Sequence, residues 1–189
     1  MIFRETPLPG AFVVEIERHA DERGFFARTW CQQEFEDHAL IPRMVQASVS
    51  FNKYKGILRG LHFQTAPSRE AKLVRVTLGR VFDVVVDIRR GSPTFGQWAG
   101  AELSEDNHRQ FYAPVGFAHA FLVLSDVAEF QYKCSDFYSA EAEHGLPWND
   151  PDIAIEWPLA GLEPILSDRD RGWTALASVD ASDLPKFPS

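Results

Sequence analysis

Short segments in which apolar and polar residues alternate with a period of two run through most of this chain. The pattern is carried by 11–17 (AFVVEIE), 43–52 (RMVQASVSFN), 56–64 (GILRGLHFQ), 72–79 (KLVRVTLG), 80–88 (RVFDVVVDI), 96–103 (GQWAGAEL), 109–114 (RQFYAP), 119–125 (HAFLVLS) and 128–134 (AEFQYKC). Side chains that change face at every residue need a sheet with two distinct sides, so each segment predicts a strand. Gly79 separates two of them and predicts a hairpin that pairs 72–78 with 80–88. Helix is confined to 29–40, with Thr29 as N-cap, and to 168–177, while 178–189 reads as an irregular tail. Many short strands with little helix and no internal repeat predict a mainly β fold. The architecture expected is a jelly-roll barrel or sandwich with a few short helices, built as one domain over 1–189.

Composition narrows the partners. At 45% hydrophobic and 24% charged the chain can bury a sizeable core. A net charge of -8 argues against a nucleic-acid surface, so any anion site has to be local. Cys31 and Cys134 stand far apart and fit neither a metal spacing nor a disulfide framework, which suits a reducing compartment. No segment is apolar enough to span a membrane, and MIFRETPLPG lacks the apolar run of a signal peptide. The expected address is the cytoplasm, with no membrane partner.

The strand 56–64 poses the chemical question, because Arg59, His62 and Gln64 interrupt apolar Ile57, Leu58, Leu61 and Phe63. On a regular strand Arg59 and His62 fall on opposite faces. Two arrangements are open: one of them points away from any cavity, or the chain slips by a residue at Gly60, a residue type that permits a bulge. The segment 114–121 (PVGFAHAF) places Pro114, Gly116 and His119 with the spacing of the second cupin motif. Metal-binding cupins add a closely spaced histidine pair and a carboxylate, whereas His62 is followed by Phe63 and Gln64. His62 and His119 alone make a poor metal site, and no metal is expected.

Taken together, DERGFFARTW (21–30), QASVSFNKYKGILRGLHFQ (46–64), EAKLVRVTLGRVFDVVVDIRRGSPTFGQW (70–98), FYAPVGFAHAF (111–121), YKCSDFYSAEAEHGLPWNDP (132–151), IEWP (155–158) and LSDRD (166–170) occur in order along nearly the whole chain. They resemble the dTDP-4-dehydrorhamnose 3,5-epimerase family, metal-free cupins that invert carbons 3 and 5 of a nucleotide-linked 4-keto-6-deoxy sugar. A hydrogen beside the keto group is acidic because its loss gives an enolate, so inversion needs a base on one face and an acid on the other. The resemblance implies His62 as base, Asp170 as the carboxylate that orients it, Tyr132 as acid and Lys72 as the cation beside the enolate oxygen. It implies substrate contacts from Arg23, Gln46, Ser48, Arg59, His119, Tyr138, Glu143 and Arg169, with guanidinium groups suited to phosphate. It further implies no cofactor, a nucleotide-diphosphate sugar as partner, and a homodimer in which Arg23 is supplied across the interface.

Plainer roles exist for each residue. Read alone, His62 and Tyr132 are satisfied core side chains, and Lys72 and Arg75 mark the wet face of a half-buried strand; for Arg75 that reading is kept. Asp83 has two open roles, orienting a histidine or bonding structurally, and Trp148, Asn149 and Asp150 pack a loop. Arg28, Ser48, Ala120 and Arg169 depart from the family's usual Glu, Asn, Gly and Lys, which leaves the nucleotide open. Epimerisation at carbon 3 alone, or a catalytically silent sugar-nucleotide binder, are the alternative functions.

Overall fold

The alternating segments form two antiparallel sheets packed face to face. The computed structural model describes residues 1–187. Its strands are β1 (Ile2–Glu5), β2 (Phe12–Glu15), β3 (His19–Asp21), β4 (Gly24–Phe26), β5 (Gln46–Asn52), β6 (Leu58–Gln64), β7 (Lys72–Leu78), β8 (Arg80–Asp87), β9 (Trp98–Ser104), β10 (Gln110–Ala113), β11 (Phe117–Val123), β12 (Ala128–Cys134) and β13 (Glu143–Gly145). Two short helices, α1 (Gln32–Asp37) and α2 (Asp168–Arg171), and a 3₁₀ turn at Leu176–Ser178 complete it. One sheet runs β1-β2-β10-β7-β12-β5, the other β13-β6-β11-β8-β9, and β3-β4 form a separate hairpin. This is the two-sheet jelly roll that the period-two pattern predicts.

The inner faces meet through Val74, Val76, Val81, Val85, Phe117, Phe121, Val123 and Phe130. The outer face of the five-stranded sheet is also apolar. There Leu61, Phe63, Val84, Val86, Ala118 and Ala120 are covered by Leu146, Ile153, Leu176 and Leu184 from the last part of the chain. Burial on both faces explains why β8 and β11 read as nearly unbroken apolar runs rather than strict alternation. Each of the valine, leucine, isoleucine and phenylalanine side chains there contributes about 1.5–3 kcal/mol by leaving water. On the six-stranded sheet α1 seals one end, with Phe35 and Leu40 packed on Val14, Leu73 and Tyr112.

Three local expectations are corrected. The segments flanking Gly79 are not hairpin partners, since β7 and β8 belong to different sheets. Gly79, at φ +76°, is the corner between them, and a Cβ there would lie 2.1 Å from the carbonyl oxygen of Val127. The first helix begins at Gln32, not after Thr29, with Cys31 as its N-cap. The Thr29 carbonyl instead accepts a bond from Gln110 Nε2 at 2.8 Å, which ties that backbone to β10. The second helix is a single turn capped by Ser167 and closed at Gly172. Strands β1, β3, β4 and β13 are too short to announce themselves by alternation. Among the described residues the C-terminal segment has no helix or strand after Ser178 but is anchored: Leu184 is buried, and Arg90 bridges to Lys186. Pro188 and Ser189 of that expected tail lie outside the described residues. Among the described residues no helix is long and apolar enough to cross a membrane.

Candidate active site

The question posed by Arg59 and His62 is resolved by register. Between β6 and β11, His62 pairs with His119 while Arg59 pairs with Phe121, so three steps on one strand match two on the other. The extra residue is a bulge at Gly60. Ile57 packs toward the inter-sheet core, Leu61 and Phe63 pack on the opposite side, and Arg59 and His62 both reach the cavity. Only glycine fits the slip. Gly60 sits at φ +108°, and a Cβ would meet the His119 carbonyl at 2.5 Å and the Ala120 Cβ at 2.8 Å.

The cavity occupies about 440 Å³ between the sheets, within the range of small-molecule sites. Gln46, Ser48 and Ser50 enter it from β5, Arg59, His62 and Gln64 from β6, Lys72 from β7, His119 and Phe121 from β11, and Phe130, Tyr132 and Cys134 from β12. Glu70, Tyr138 and Glu143 complete the lining. His62 lies on the five-stranded sheet and Tyr132 and Lys72 on the six-stranded one, so they face the cavity from opposite sides.

Behind His62 stands Asp170, at 4% exposure. The Nε2–H of His62 donates to Asp170 Oδ1 at 2.6 Å, which leaves Nδ1 as the basic nitrogen. The Ser167 cap holds the Asp170 backbone at 3.1 Å, and Trp173 Nε1 donates to the same carboxylate at 3.3 Å. Burial works to raise the Asp170 pKa, but the bonds from His62, Ser167 and Trp173 prevail and hold it below the ordinary value. The carboxylate therefore stays charged behind the ring.

Across β11, His119 Nε2–H donates to the fully buried Asp83 at 2.9 Å, which assigns Asp83 the orienting role. Burial pushes the Asp83 pKa up against the opposing pull of His119 and Lys72. Arg59 Nε donates to Asn52 Oδ1 at 2.9 Å, which fixes its guanidinium. At the mouth Tyr138 donates to Glu143 at 2.5 Å, and Arg169 pairs with the same carboxylate oxygen. Gln46 and Gln64 accept from the backbone of Tyr138 and Ser139 and so hold that loop over the opening.

Most expected residues therefore converge: Gln46, Ser48, Arg59, His62, Lys72, His119, Tyr132, Tyr138 and Glu143 line the cavity, with Asp170 and Arg169 one bond behind. Arg23 does not. It sits on the β3-β4 hairpin, paired with Asp21 at 84% side-chain exposure, and is not part of the lining. Arg75 points to the outer face of its sheet, the plain role expected of it, and lines a separate hollow with Lys133. The Trp148 run does pack a loop, its carbonyl accepting from Trp157 at 2.8 Å. Sequence reasoning missed Ser50, Gln64, Glu70 and Cys134. Parity was the available signal, since each lies two residues from a lining residue on the same run. Among the described residues no group of three or more His, Cys, Asp or Glu could hold a metal ion.

Two facing sheets that enclose an imidazole–carboxylate pair, a phenol and an ammonium define a cupin jelly roll arranged for proton transfer. Known proteins specify it further. Residues 5–178 match the family dTDP-4-dehydrorhamnose 3,5-epimerase, and the chain belongs to that family of isomerases. The Methanothermobacter thermautotrophicus dTDP-4-dehydrorhamnose 3,5-epimerase is 46% identical over 175 residues, 92% of this chain and 94% of that protein. A crystal structure of the Legionella pneumophila dTDP-6-deoxy-D-glucose-3,5-epimerase in complex with dTDP-4-keto-L-rhamnose superposes with a TM-score of 0.93 at 44% identity, covering 100% and 99% of the two chains. A 3'-monoepimerase from Streptomyces bikiniensis in complex with dTDP-quinovose gives 0.87 at 34% identity over 96% and 91%.

Proposed function

We propose that this chain epimerises a dTDP-linked 4-keto-6-deoxy sugar at carbons 3 and 5 without a cofactor. The observation that carries this reading is the His62–Asp170 pair on one sheet, opposed across the cavity by Tyr132 and Lys72 on the other. Nδ1 of His62 takes the proton from carbon 3, and the C–H electron pair becomes the C3–C4 double bond of an enolate. Lys72 stabilises the resulting negative oxygen, a contribution of about 10²–10³ in rate. The Tyr132 hydroxyl returns a proton from the opposite face, so the carbon inverts, and solvent restores both side chains. The same cycle at carbon 5 completes the reaction. Arg59 and His119, both cationic or bonding groups in the cavity, bind the diphosphate and sugar in this reading.

The test is proton exchange with dTDP-4-keto-6-deoxyglucose in D₂O, followed by NMR. Deuterium at both carbons is the expected result. Label at carbon 3 alone would replace this reading with the single-site reaction of the Streptomyces bikiniensis relative, and no label with any donor nucleotide would reduce the protein to a binder.

One domain and a homodimer are part of the proposal. The β3-β4 hairpin carries Arg23 away from its own cavity and leaves Phe26 70% exposed, while Val49 and Phe51 are exposed on β5. Those apolar groups suit a two-fold interface through which the hairpin delivers Arg23 to the partner's cavity. Mixing inactive Arg23→Ala and His62→Asn proteins is expected to restore activity, to about a quarter of wild type for equal mixing. Absence of recovery in mixtures shown by mass to contain both variants would place Arg23 outside the site.

A further inference from the structure

One carboxylate inside the cavity has no part in the proton transfers. Glu70 precedes β7 and lies two residues from Lys72, so both side chains leave the same face of the chain. Its Oε1 lies 2.9 Å from the Lys72 ammonium, with the two side chains 7% and 16% exposed. The backbone between them is clamped: Ala71 N donates to Ser135 Oγ at 2.7 Å, and Ser135 N donates to the Ala71 carbonyl at 2.9 Å. We propose that Glu70 is a positioning residue, which keeps the Lys72 ammonium charged and aimed at the site where the enolate oxygen forms. The inference rests on the reading of Lys72 given above and deepens it.

The physical need is plain. A buried ammonium loses hydration, which favours its neutral form, and a neutral amine would stabilise no enolate. Burial accordingly works to lower the Lys72 pKa, and the charge and hydrogen bond of Glu70, helped by the smaller pull of Cys134 and Tyr132, outweigh it, so the net shift is upward. The other groups facing Lys72 are Tyr132 and Cys134 from β12 and Asp83 from β8. The Cys134 thiol is pushed up to about 12, mainly by burial, and stays neutral. Asp83 is held by His119, and Tyr132 is reserved for proton return. Glu70 is the carboxylate bonded to the ammonium.

The experiment compares wild type with Glu70→Gln, which keeps the shape and a hydrogen-bonding oxygen but removes the charge. Two quantities are read: the titration of Lys72 by NMR of lysine enriched in carbon-13 at Cε, assigned with Lys72→Met, and the pH profile of kcat/KM. Lys72 in Glu70→Gln is expected to titrate at least about one pH unit lower. The alkaline limb of kcat/KM should fall with it, and the acid limb set by the His62–Asp170 pair should stay in place. An unmoved Lys72 titration would overturn the proposal, as would a shifted titration with an unmoved alkaline limb. Should the wild type prove inactive on every keto sugar, the reading of Lys72 as an enolate cation falls. The titration would still decide separately whether Glu70 holds its charge.

Discussion

His62→Asn is expected to lower exchange at both carbons by about 10²–10⁴-fold, the usual contribution of a positioned base, while binding of dTDP stays near wild type. Asparagine keeps a polar group within the cavity but cannot take up a proton at neutral pH. Tyr132→Phe gives a different signature. His62 still removes the carbon 3 proton and can return deuterium to the same face, so label is retained while inverted product is lost. NMR of the sugar in D₂O separates the two variants, and equal loss of label in both would remove Tyr132 from the role of acid. Asp170→Asn is intermediate. It leaves the ring in place but removes the charge that stabilises the imidazolium formed after proton removal.

The largest effect on stability is expected at Asp87, at the opposite end of β8 from the Gly79 corner. Its carboxylate accepts from Arg89 Nε at 2.9 Å and Nη2 at 2.7 Å, from Ser92 at 2.6 Å and from Thr94 at 2.7 Å. The Arg89 guanidinium in turn lies over the rings of Phe117 and Phe187, at 4.5 Å and 4.7 Å. Asp87→Ala strands a buried guanidinium and is expected to cost about 3–5 kcal/mol, a fall in Tm of about 10 °C for a chain of this size. Burial by itself would raise the Asp87 pKa, yet the bonds from Arg89, Ser92 and Thr94 bring it below its ordinary 3.8. A depressed carboxylate contributes stability above its unfolded value and loses that contribution as pH falls through the folded one. Calorimetry should therefore show the gap between wild type and Asp87→Ala closing below about pH 4.

Much of this molecule was legible in its sequence, and the unread parts share a physical cause. Period-two alternation reported most of the strands because one face is buried and the other is not, whereas β8 and β11 showed as apolar runs because both faces are buried. It carried no information about which strands pair. Gly79 looked like a hairpin turn from either side, and only packing decides that the chain there crosses between sheets. The same limit applied at Gly60, where two strand geometries were open and a bulge placed Arg59 with His62. The motif residues located most of the cavity lining. Glu70 escaped because a carboxylate two residues before a lysine reads as ordinary surface charge. Arg23 is a different case: its motif matched, yet its hairpin holds it paired with Asp21 and outside the lining of the chain's own cavity.

The pairing of His62 with Asp170 also sets a schedule. The two residues are 108 positions apart, and the second arrives on the segment that wraps the back of the five-stranded sheet. A ribosome that has released both sheets has released the base, the phenol and the ammonium, but not the carboxylate that gives the imidazole its tautomer. The lining of the cavity is thus complete in the chain at Glu143, while the carboxylate behind the imidazole comes only with the closing wrap. A nascent chain halted ahead of that wrap would carry every lining residue without the carboxylate that His62 donates to.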